Sequence, residues 1–407
     1  MRVLMLSTNY HPVIGGAESY CRDLATGLVR SGHDVTVFTD GRSSQHPCAA
    51  YERGVRVLRE RSYLERLSGP DVSTWEQMAF GLLPAVSRVI DLARVDVVHA
   101  NSQDTALLGT VLKLQHGFPL LVTSHEVHRE RGPAGAGRCR LVFGHLPVDA
   151  HIAVSRYYEQ VARSFGARNL HRIDLGVDLQ RFMPGDGAAA RRTLGIDVDE
   201  IVVTCVARFK ARKGLLELIE ATSRLTRRAP RLRVLLVGTT SSGSAQYAQQ
   251  MRQRIEDLQL ASRVRVIEDY DHDQIATIMH ASDVYVQPSH VEGLGMAVLE
   301  AMACGVPVVA CDTDGLREIV EQGVSGLLVR VGDAAALAEA IVRLLRDRAL
   351  RGRLVAGGLA RARGRGVDRM VVRTASLYRS LLATTPTRPM VGSVASGLVS
   401  ADRGRRA

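Results

Sequence analysis

Residues 290–310 read HVEGLGMAVLEAMACGVPVVA, and this stretch decides the fold. Its first two glycines predict a turn that leads into a helix, and the Gly-Val-Pro sequence that follows predicts the end of that helix. The apolar residues Val306–Cys311 then predict a buried strand, as do the residues Asp283–Gln287 that precede the turn. Short apolar strands that alternate with helices are typical of a parallel sheet covered by helices on both faces.

The same alternation runs through the whole chain. In the first half the predicted strands are Val3–Ser7, Asp34–Thr39, Val55–Arg59, Asp96–Ala100, Leu120–Ser124 and His151–Val154. In the second half they are Ile201–Ala207, Arg233–Val237, Val264–Ile267, Asp283–Gln287, Val306–Cys311 and Gly326–Val329. The sequence therefore predicts an α/β protein with two facing, doubly wound, Rossmann-like domains. Ligands of such sheets bind at the carboxyl ends of the strands, which here would border an interdomain cleft.

The domain boundaries are predicted where this alternation breaks. Residues 1–180 form the amino-terminal domain, and residues 181–200, which are rich in Gly, Asp and Arg, form a linker. Residues 201–365 form the carboxy-terminal domain, and residues 366–383 form a helix that packs back toward the first domain. Residues 384–407 mix Pro, Gly, Ser and Arg without periodicity, which predicts a disordered tail. A chain of 407 residues is also too long for one compact core.

The composition is that of an ordinary globular protein, with 46% hydrophobic and 23% charged residues. Only three of the 53 Lys and Arg residues are lysines, so the net charge of +11 reflects a general use of arginine and does not predict a nucleic-acid partner. Six cysteines without a CxxC pair predict reduced thiols and no metal site. No apolar run reaches the roughly 18–20 residues of a membrane span, and residues 1–7 lack a signal-peptide pattern, so a cytoplasmic location is expected.

Two carboxylates in the deciding stretch, Glu292 and Glu300, are separated by seven residues. Glu292 follows a predicted strand, whereas Glu300 lies in the predicted helix among apolar neighbours, where a carboxylate needs a partner. Because a carboxylate accepts paired hydrogen bonds from a vicinal diol, Glu300 suits a ribose and Glu292 a hexose. The glycines between them let the backbone approach a ligand, so that the amides of Gly295 and Met296 can donate to sugar hydroxyls.

A cationic loop is predicted in the second domain. Its first strand ends at Arg208, and Lys213 precedes a predicted helix, so both side chains are expected at the cleft. Two fixed cations there suit a diphosphate and would stabilise the negative charge that develops as it leaves. The alternative is a solvated basic loop, but lysine is rare in this chain, which favours a specific role for Lys213. Replacing either residue with Ala is predicted to lower turnover without changing the thermal midpoint.

The loop after the first strand excludes a nicotinamide-binding motif, because no G-x-G-x-x-G joins that strand to the first helix. Instead, Gly15–Gly16 precede the predicted helix Ala17–Arg30. Backbone amides exposed there, together with the helix dipole, favour a phosphate or another anion. The alternative is a simple turn, which is the commoner role of a Gly pair before a helix.

Together these segments resemble the retaining glycosyltransferases of family four, which have the GT-B fold. The resemblance covers roughly residues 1–382. The segments that carry it are Gly15–Gly16, Gly176–Asp178 with Phe182, Val206–Gly214, Glu292–Val309 and Gly326–Val329. It implies that the donor-binding residues are Gly15, Gly16, Arg208, Lys213, Glu292, Gly293, Leu294, Gly295, Met296 and Glu300.

The resemblance also implies how these residues act. Arg208 and Lys213 would bind the donor diphosphate, Glu300 the nucleotide ribose and Glu292 the donor sugar. His125, which ends the segment Leu121–His125, matches a histidine that contacts the donor sugar. The implied catalytic residues are therefore His125, Arg208, Lys213 and Glu292. His99 ends another strand and is expected to be structural.

The chain departs from the family's pattern at three positions. Asp314 stands where the family has the first of two glycines, and Leu175 stands where it has Asn before Gly176. Glu268 stands where the family has Gly near the base pocket. None of these departures removes a catalytic group, but Glu268 leaves the identity of the nucleobase open.

The predicted function is transfer of a hexose or N-acetylhexosamine from a nucleotide diphosphate sugar to a hydroxyl acceptor, with retention at the anomeric carbon and without a metal or cofactor. UDP-sugars and GDP-sugars both stay open as donors. One alternative is a non-catalytic sugar-nucleotide-binding subunit, which the presence of Arg208, Lys213, Glu300 and His125 disfavours. Another is an epimerase or phosphorylase on the same fold. A pyridoxal-phosphate phosphorylase needs a lysine deep in the second domain, and no lysine follows Lys213.

The acceptor is predicted to be a small molecule in preference to a lipid-linked one. The loops Gly41–Glu52 and Arg129–Leu146 are expected to shape its pocket. Cations cluster at Arg53, Arg56, Arg59, Arg61 and Arg66, but neighbouring carboxylates nearly balance them. The sequence therefore predicts at most weak contact with the inner face of the membrane, and it leaves the oligomeric state open.

Overall fold

The computed structural model describes residues 1–13, 15–41, 47–61, 75–125, 132–240, 245–268, 270 and 272–385. The predicted tail lies outside the described residues from residue 386 onward. The strands are β1 (Arg2–Leu6), β2 (Asp34–Asp40), β3 (Ala49–Glu52), β4 (Val55–Glu60), β5 (Val97–Ala100), β6 (Leu120–Ser124), β7 (Ala150–Ala153), β8 (Leu170–Arg172), β9 (Ile201–Val206), β10 (Leu232–Val237), β11 (Val264–Ile267), β12 (Val284–Gln287), β13 (Val308–Cys311) and β14 (Leu327–Val329).

Helices connect most of these strands. The α-helices are α1 (Gly16–Arg30), α2 (Trp75–Val89), α3 (Gln103–His116), α4 (Gly132–Arg140), α5 (Arg156–Ser164), α6 (Gly187–Leu194), α7 (Leu215–Leu225), α8 (Ala245–Asp257), α9 (Ile275–His280), α10 (Met296–Ala303), α11 (Asp314–Arg317), α12 (Ala334–Arg346), α13 (Arg348–Arg363) and α14 (Val367–Thr384). Single turns of 3₁₀-helix are Leu92–Arg94, Ala211–Lys213 and His272–Gln274, and Leu141–His145 is a π-helical turn.

The prediction of two parallel α/β sheets is confirmed. The first sheet has the strand order β3-β4-β2-β1-β5-β6-β7-β8 and is parallel except for β3, which pairs antiparallel with β4. The second sheet has the order β11-β10-β9-β12-β13-β14 and is parallel throughout. In each sheet the order of strand addition reverses once, between β1 and β5 and between β9 and β12. Parallel α/β sheets bind ligands at such switch points.

The structure adds elements that the sequence pattern did not predict. The edge strands β3 and β8 have exposed or half-buried residues, so they lack the continuous apolar run of a central strand. The predicted linker, residues 181–200, contains helix α6. The Asp186 side chain caps this helix by accepting hydrogen bonds from the amides of Ala188 and Ala189.

Helix α14 at the end of the described chain packs against α1 of the first domain. Gly27 of α1 permits this packing, because a Cβ there would lie 2.4 Å from a methyl group of Val371. The Tyr378 hydroxyl of the same helix lies 2.6 Å from Nδ1 of His99, at the end of β5. A helix that follows the second sheet in sequence is thus anchored to the first.

The arginines predicted to cluster near residues 53–66 do not form one open basic surface. Arg59 is buried, pairs with Glu52 and donates to the carbonyl of His11. Arg53 lies 3.4 Å from a carboxylate oxygen of Asp273 in the second domain, and Arg66 lies outside the described residues. No helix in the described part of the chain has the length and apolar character that a membrane crossing requires.

Candidate active site

A cavity of about 520 Å³ lies between the two sheets, at both switch points. Residues that follow β1, β5 and β6 line it from the first domain, and residues that follow β9 and β12 line it from the second. The predicted site residues that line it are Gly15, Gly16, His125, Arg208, Lys213, Glu292, Gly293, Leu294, Gly295, Met296 and Glu300. The fold therefore brings all of them to one place.

Lys213 and Glu292 form a buried ion pair at this cavity. Their Nζ and Oε2 atoms are 2.5 Å apart, and the two side chains are only 11% and 12% exposed. Lys213 reaches this position from a 3₁₀ turn that ends at Gly214, whose φ is +66°. A Cβ at Gly214 would lie 2.0 Å from the carbonyl oxygen of Pro288, so the approach of the two loops requires glycine.

Glu292 stays ionised because its surroundings compensate its burial. Burial disfavours the charged form, but the Lys213 ammonium and its hydrogen bond outweigh this and hold the pKa of Glu292 below its ordinary value. Ser289 donates to the same carboxylate oxygen at 3.1 Å, and Gln287 lies 3.4 Å from it. The sequence analysis missed Ser289 and Gln287, although a polar residue that ends the apolar strand β12 is the signal that could have identified Gln287.

Glu300 lies in α10 and is buried at the second-domain end of the cavity. Burial raises its pKa to about 7, with Arg181 acting against this shift and Asp23 adding to it. Asp23 belongs to α1, and burial raises the pKa of this carboxyl to about 6. Charging Glu300 in the folded protein therefore costs free energy.

Replacing Glu300 with Gln is expected to stabilise the protein at alkaline pH. A carboxyl with a raised folded-state pKa binds its proton more tightly in the folded than in the unfolded chain. The stability of the protonated form is therefore fully present below about pH 4.5 and is lost as the pH rises through about 7. The ionised carboxylate thus costs up to about 3 kcal/mol above pH 7. Urea unfolding at pH 5 and pH 8 measures the free energy of unfolding, and Glu300→Gln should have a higher value than the native protein at pH 8 only.

The exposed residue Glu256 provides the control for this measurement. Glu256→Gln should change the free energy of unfolding by the same small amount at both pH values. If Glu300→Gln gave the same change at pH 5 and pH 8, the carboxyl would titrate normally and this account of its environment would be wrong.

The Gly15–Gly16 pair begins α1 at the edge of the cavity, and the N-cap residue Gly15 has no side chain with which to cap the first turn. The Glu18 side chain lies so close that a Cβ at Gly15 would come within 2.3 Å of Oε2. Asn9 donates to the other oxygen of Glu18 at 3.3 Å. The Gly15–Gly16 loop is therefore packed against the first turn of α1, and the backbone amides at the start of this helix lie at the cavity.

His125 follows β6 and is half-buried at the cavity. Its Nε2 lies 3.1 Å from Oδ1 of Asn101, which only accepts, so Nε2 donates. Asn101 is fixed in turn by donating to Ser7 at 3.3 Å and to the Ala17 carbonyl at 3.2 Å. The ring of Tyr20 makes an edge contact with the imidazole, with 4.6 Å between centroids. Asn101 is a positioning residue that the sequence analysis missed.

His99 behaves differently from His125. It is fully buried, and its ring nitrogens lie 2.6 Å from the hydroxyls of Tyr378 and Thr123. Burial, with the nearby His125 acting in the same direction, lowers the pKa of His99 to about 3, so its ring is neutral. The polar contacts of this ring tie β5 to β6 and to α14.

The two domains touch at the loop that carries Glu292. A Cβ at Gly293 would lie 2.2 Å from the hydroxyl of Tyr158 in α5, and a Cβ at Gly315 would lie 2.2 Å from the carbonyl oxygen of Glu292. Gly315 is therefore the sterically required member of the family's Gly pair. Asp314 has a side chain that is 72% exposed, which explains why this chain tolerates it.

A second contact between the domains is made by Glu318, which follows α11. Its carboxylate accepts hydrogen bonds of 2.8 Å from the backbone amides of Arg156 and Tyr157 in the first turn of α5. A carboxylate at a helix amino terminus is also favoured by the helix dipole. Glu318 thus fixes the helix that presents Tyr157 and Tyr158 to the cavity.

The structure also locates the other two departures from the family's pattern. Leu175 is buried at the cavity, and a Cβ at the following Gly176 would lie 2.6 Å from the backbone of Val367. Glu268 pairs with Arg252 and accepts a hydrogen bond from Thr240. Its charge is therefore compensated within the second domain.

Known structures share this arrangement of two parallel sheets around a cleft. Sucrose-phosphate synthase from Thermosynechococcus elongatus is similar with a TM-score of 0.82 and 26% identity, over 94% of this chain and 99% of that chain. The fold is therefore GT-B, the two-domain fold of many glycosyltransferases.

Sequence comparisons agree with the fold. Residues 187–360 match the family described as "Glycosyl transferases group 1", and residues 14–181 match "Glycosyltransferase Family 4". The D-inositol 3-phosphate glycosyltransferase of Frankia alni is 31% identical over 372 residues, which cover 86% of this chain and 91% of the relative. That of Catenulispora acidiphila is 33% identical over 405 residues, which cover 92% and 93%. The chain belongs to the family-four glycosyltransferases, and the family predicted from the sequence is confirmed.

Proposed function

We propose that this glycosyltransferase moves a hexose or N-acetylhexosamine from a nucleotide diphosphate sugar to a hydroxyl acceptor, with retention at the anomeric carbon. The observation that carries the proposal is the single cavity in which Arg208 and Lys213 lie with the carboxylates of Glu292 and Glu300, while His125 lines it from the other sheet. Cations suit the diphosphate, and the carboxylates suit the hydroxyls of the two sugars.

The proposed reaction breaks the bond between the anomeric carbon and the diphosphate oxygen. The acceptor oxygen forms its bond to the same carbon on the same face, and the acceptor proton leaves with the diphosphate. Arg208 and Lys213 neutralise the charge of the leaving group, and the amides of the Gly15–Gly16 loop add to this. The His125 imidazole, positioned by Asn101, is proposed to contact the donor sugar.

The alternatives named from the sequence are less well supported. A non-catalytic sugar-nucleotide-binding subunit would not need His125 held at the cavity by a dedicated network, and the family of this chain consists of transferases. A pyridoxal-phosphate phosphorylase would need a lysine after Lys213, and the chain has none. Among the described residues, no group of three or more His, Cys, Asp or Glu could hold a metal. That the reaction needs neither metal nor cofactor stays a prediction.

The acceptor is proposed to be a small polyhydroxylated molecule. The relatives named above act, by their names, on D-inositol 3-phosphate, a cyclitol of the size that the cavity admits. A cytoplasmic location and at most weak contact with the inner face of the membrane also stay predictions. Burial of Arg59 and pairing of Arg53 reduce the number of cations available to anionic lipid.

A donor screen tests the proposed function. The purified protein is expected to bind one of UDP, GDP or ADP at micromolar concentration, and to release that nucleoside diphosphate slowly from the matching glucose or N-acetylglucosamine donor. Calorimetry and a coupled nucleotide assay measure the two quantities. Glu300→Gln should weaken nucleotide binding by about tenfold, because an amide cannot accept both ribose hydroxyls. Failure of all three nucleotides to bind would overturn the proposal.

A further inference from the structure

The two walls of the active-site cavity differ in charge. The second-domain wall contributes the cations Arg208, Lys210, Arg212 and Lys213 and the carboxylates of Glu292 and Glu300, so its cations outnumber its carboxylates. The first-domain wall consists of Ser7–Asn9, Gly15–Ser19, Asn101–Asp104, His125, Val154, Tyr157, Tyr158 and Leu175. Among the described residues that line the cavity, this wall contains no Lys or Arg, but it contains the carboxylates of Glu18 and Asp104. A donor diphosphate fits the wall that carries the cations, which leaves the first-domain wall for the acceptor.

Asp104 is the carboxylate best placed to select an acceptor. It lies in the first turn of α3, after β5, two positions beyond the N-cap Ser102. Glu18, in contrast, lies next to the Gly15–Gly16 loop, where the diphosphate is expected. The neighbouring Ser102 and Gln103 carry a hydroxyl and an amide, groups that hydrogen-bond ligand hydroxyls without regard to charge. The Asp104 carboxylate therefore determines that this wall favours an acceptor with a positive charge.

The nearest cation on this side does not supply a phosphate site. Arg138 of α4 donates from Nη1 to Oδ1 of Asp104 at 3.3 Å, and both side chains are about one-third exposed at 34% and 30%. Arg138 is not among the described lining residues of the cavity. A phosphate that approached Arg138 would also approach the Asp104 carboxylate, which would repel it. A carboxylate accepts several hydrogen bonds, so its bond to Arg138 does not exclude one to an ammonium ligand.

Two aromatic rings complete this wall. Tyr157 and Tyr158 lie in the first turn of α5, with 5.4 Å between ring centroids, and both line the cavity. Aromatic faces bind cations through the ring quadrupole and pack against the apolar faces of sugar-like rings. They disfavour a phosphate, because their faces are electron-rich.

We propose that the acceptor is a hydroxylated ring compound that carries an ammonium group and no phosphate, with Asp104 as the residue that selects this charge. This rests on the proposed function, because it takes the cavity as the site of glycosyl transfer. The acceptor would thus be an amino sugar or an aminocyclitol, and it would differ in charge from the substrate that the inositol-phosphate relatives are named for.

The test compares three cyclitols that share a hydroxylated six-membered carbon ring and differ in charge. Scyllo-inosamine carries an ammonium, myo-inositol is neutral and D-inositol 3-phosphate is anionic. Their dissociation constants are measured by calorimetry on the protein saturated with the nucleoside diphosphate identified in the donor screen. We expect scyllo-inosamine to bind at least about tenfold more tightly than myo-inositol, and D-inositol 3-phosphate to bind weakest. Tightest binding of the phosphate, or equal or undetectable binding of all three, would overturn the proposal.

Variants separate charge selection from a structural role of Asp104 at the start of α3. Asp104→Asn should weaken the binding of scyllo-inosamine at least about tenfold and change the binding of myo-inositol less than about threefold. It should tighten the binding of D-inositol 3-phosphate, because Arg138 loses its partner. Asp34→Asn, which removes an exposed carboxylate at the start of β2 outside the cavity, is the matched control and should change none of the three. Equal weakening of all three cyclitols by Asp104→Asn would show a merely structural role and overturn the proposal.

Nucleotide binding distinguishes this proposal from the proposed function. If the protein binds no nucleoside diphosphate, both the proposed function and the proposed ammonium acceptor are wrong. A protein that binds nucleotide, and transfers sugar to the phosphorylated cyclitol in preference to the amino one, keeps the proposed function and loses the ammonium acceptor.

Discussion

Replacing Arg208 with Ala is expected to lower kcat by about 10²–10³-fold while leaving the thermal midpoint almost unchanged. Arg208 follows β9 at the switch point of the second sheet, lines the cavity and is half-buried. Its guanidinium is proposed to stabilise the charge that grows on the departing diphosphate, and a donor of this kind contributes mainly in the transition state. Steady-state kinetics, with saturating donor and acceptor, measures the loss.

Two further variants make this result specific. Arg208→Lys should recover part of kcat, because an ammonium keeps the charge but loses the two-pronged contact with phosphate. Arg231→Ala removes an exposed arginine that pairs with Asp199 on the surface of the second domain, and it should leave kcat unchanged. If Arg208→Ala kept full activity, the assignment of Arg208 to the diphosphate site would be wrong.

The sheets were predictable from sequence because their central strands are buried on both faces. Segments such as Ile201–Val206, apolar except for Thr204, and Val308–Cys311 are apolar runs, and their predicted ends lie within two residues of the structure. The edge strands β3 and β8 carry no such pattern, which is why these two were missed. Helix α6 was missed because its surroundings are rich in Gly and Asp, although the Asp186 cap is a helix-start signal.

The candidate site was predictable as a set of residues but not as a set of contacts. Glycines and charged residues at strand ends identified the loops, and the sheet topology then brought those loops together. Nothing in the sequence indicated that Lys213 would pair with Glu292, 79 positions later. The same holds for Tyr158 against Gly293 and for Glu318 at the start of α5. The first of these contacts depends on how two loops of the second sheet meet, and the other two depend on how the two domains meet. None of that information is local in the sequence.

The contact between Lys213 and Glu292 changes one prediction made from the sequence. Lys213→Ala was predicted to lower turnover without changing the thermal midpoint, but the structure shows that it would leave the Glu292 carboxylate buried without its cation. Removing one partner of a buried pair costs about 3–5 kcal/mol. We therefore expect a large fall in the thermal midpoint together with a fall in kcat of at least about 10²-fold.

The loss of stability in Lys213→Ala should depend on pH. The pKa of Glu292 is held below its ordinary value in the native protein, so the stability that this carboxyl gains from Lys213 is present above about pH 4.5 and is lost as the pH falls through the folded-state pKa. Without Lys213, burial dominates and a proton neutralises the carboxyl. The variant should therefore come closest to the native stability at acid pH, below about pH 4.5, and be furthest from it above pH 7.

A double variant separates the two roles of Lys213. Lys213→Ala combined with Glu292→Gln removes the buried charge, and Ser289 and Gln287 still provide partners for the amide. Most of the lost stability should return, whereas activity should not, because both the diphosphate cation and the sugar-binding carboxylate are gone. Recovery of activity in the double variant would mean that Lys213 serves only to neutralise Glu292. Persistent instability would mean that the ion pair is not the reason for the loss. The expected combination, a stable but inactive protein, would show that the cavity holds its cation and carboxylate for substrate and that their mutual attraction keeps both in place before substrate binds.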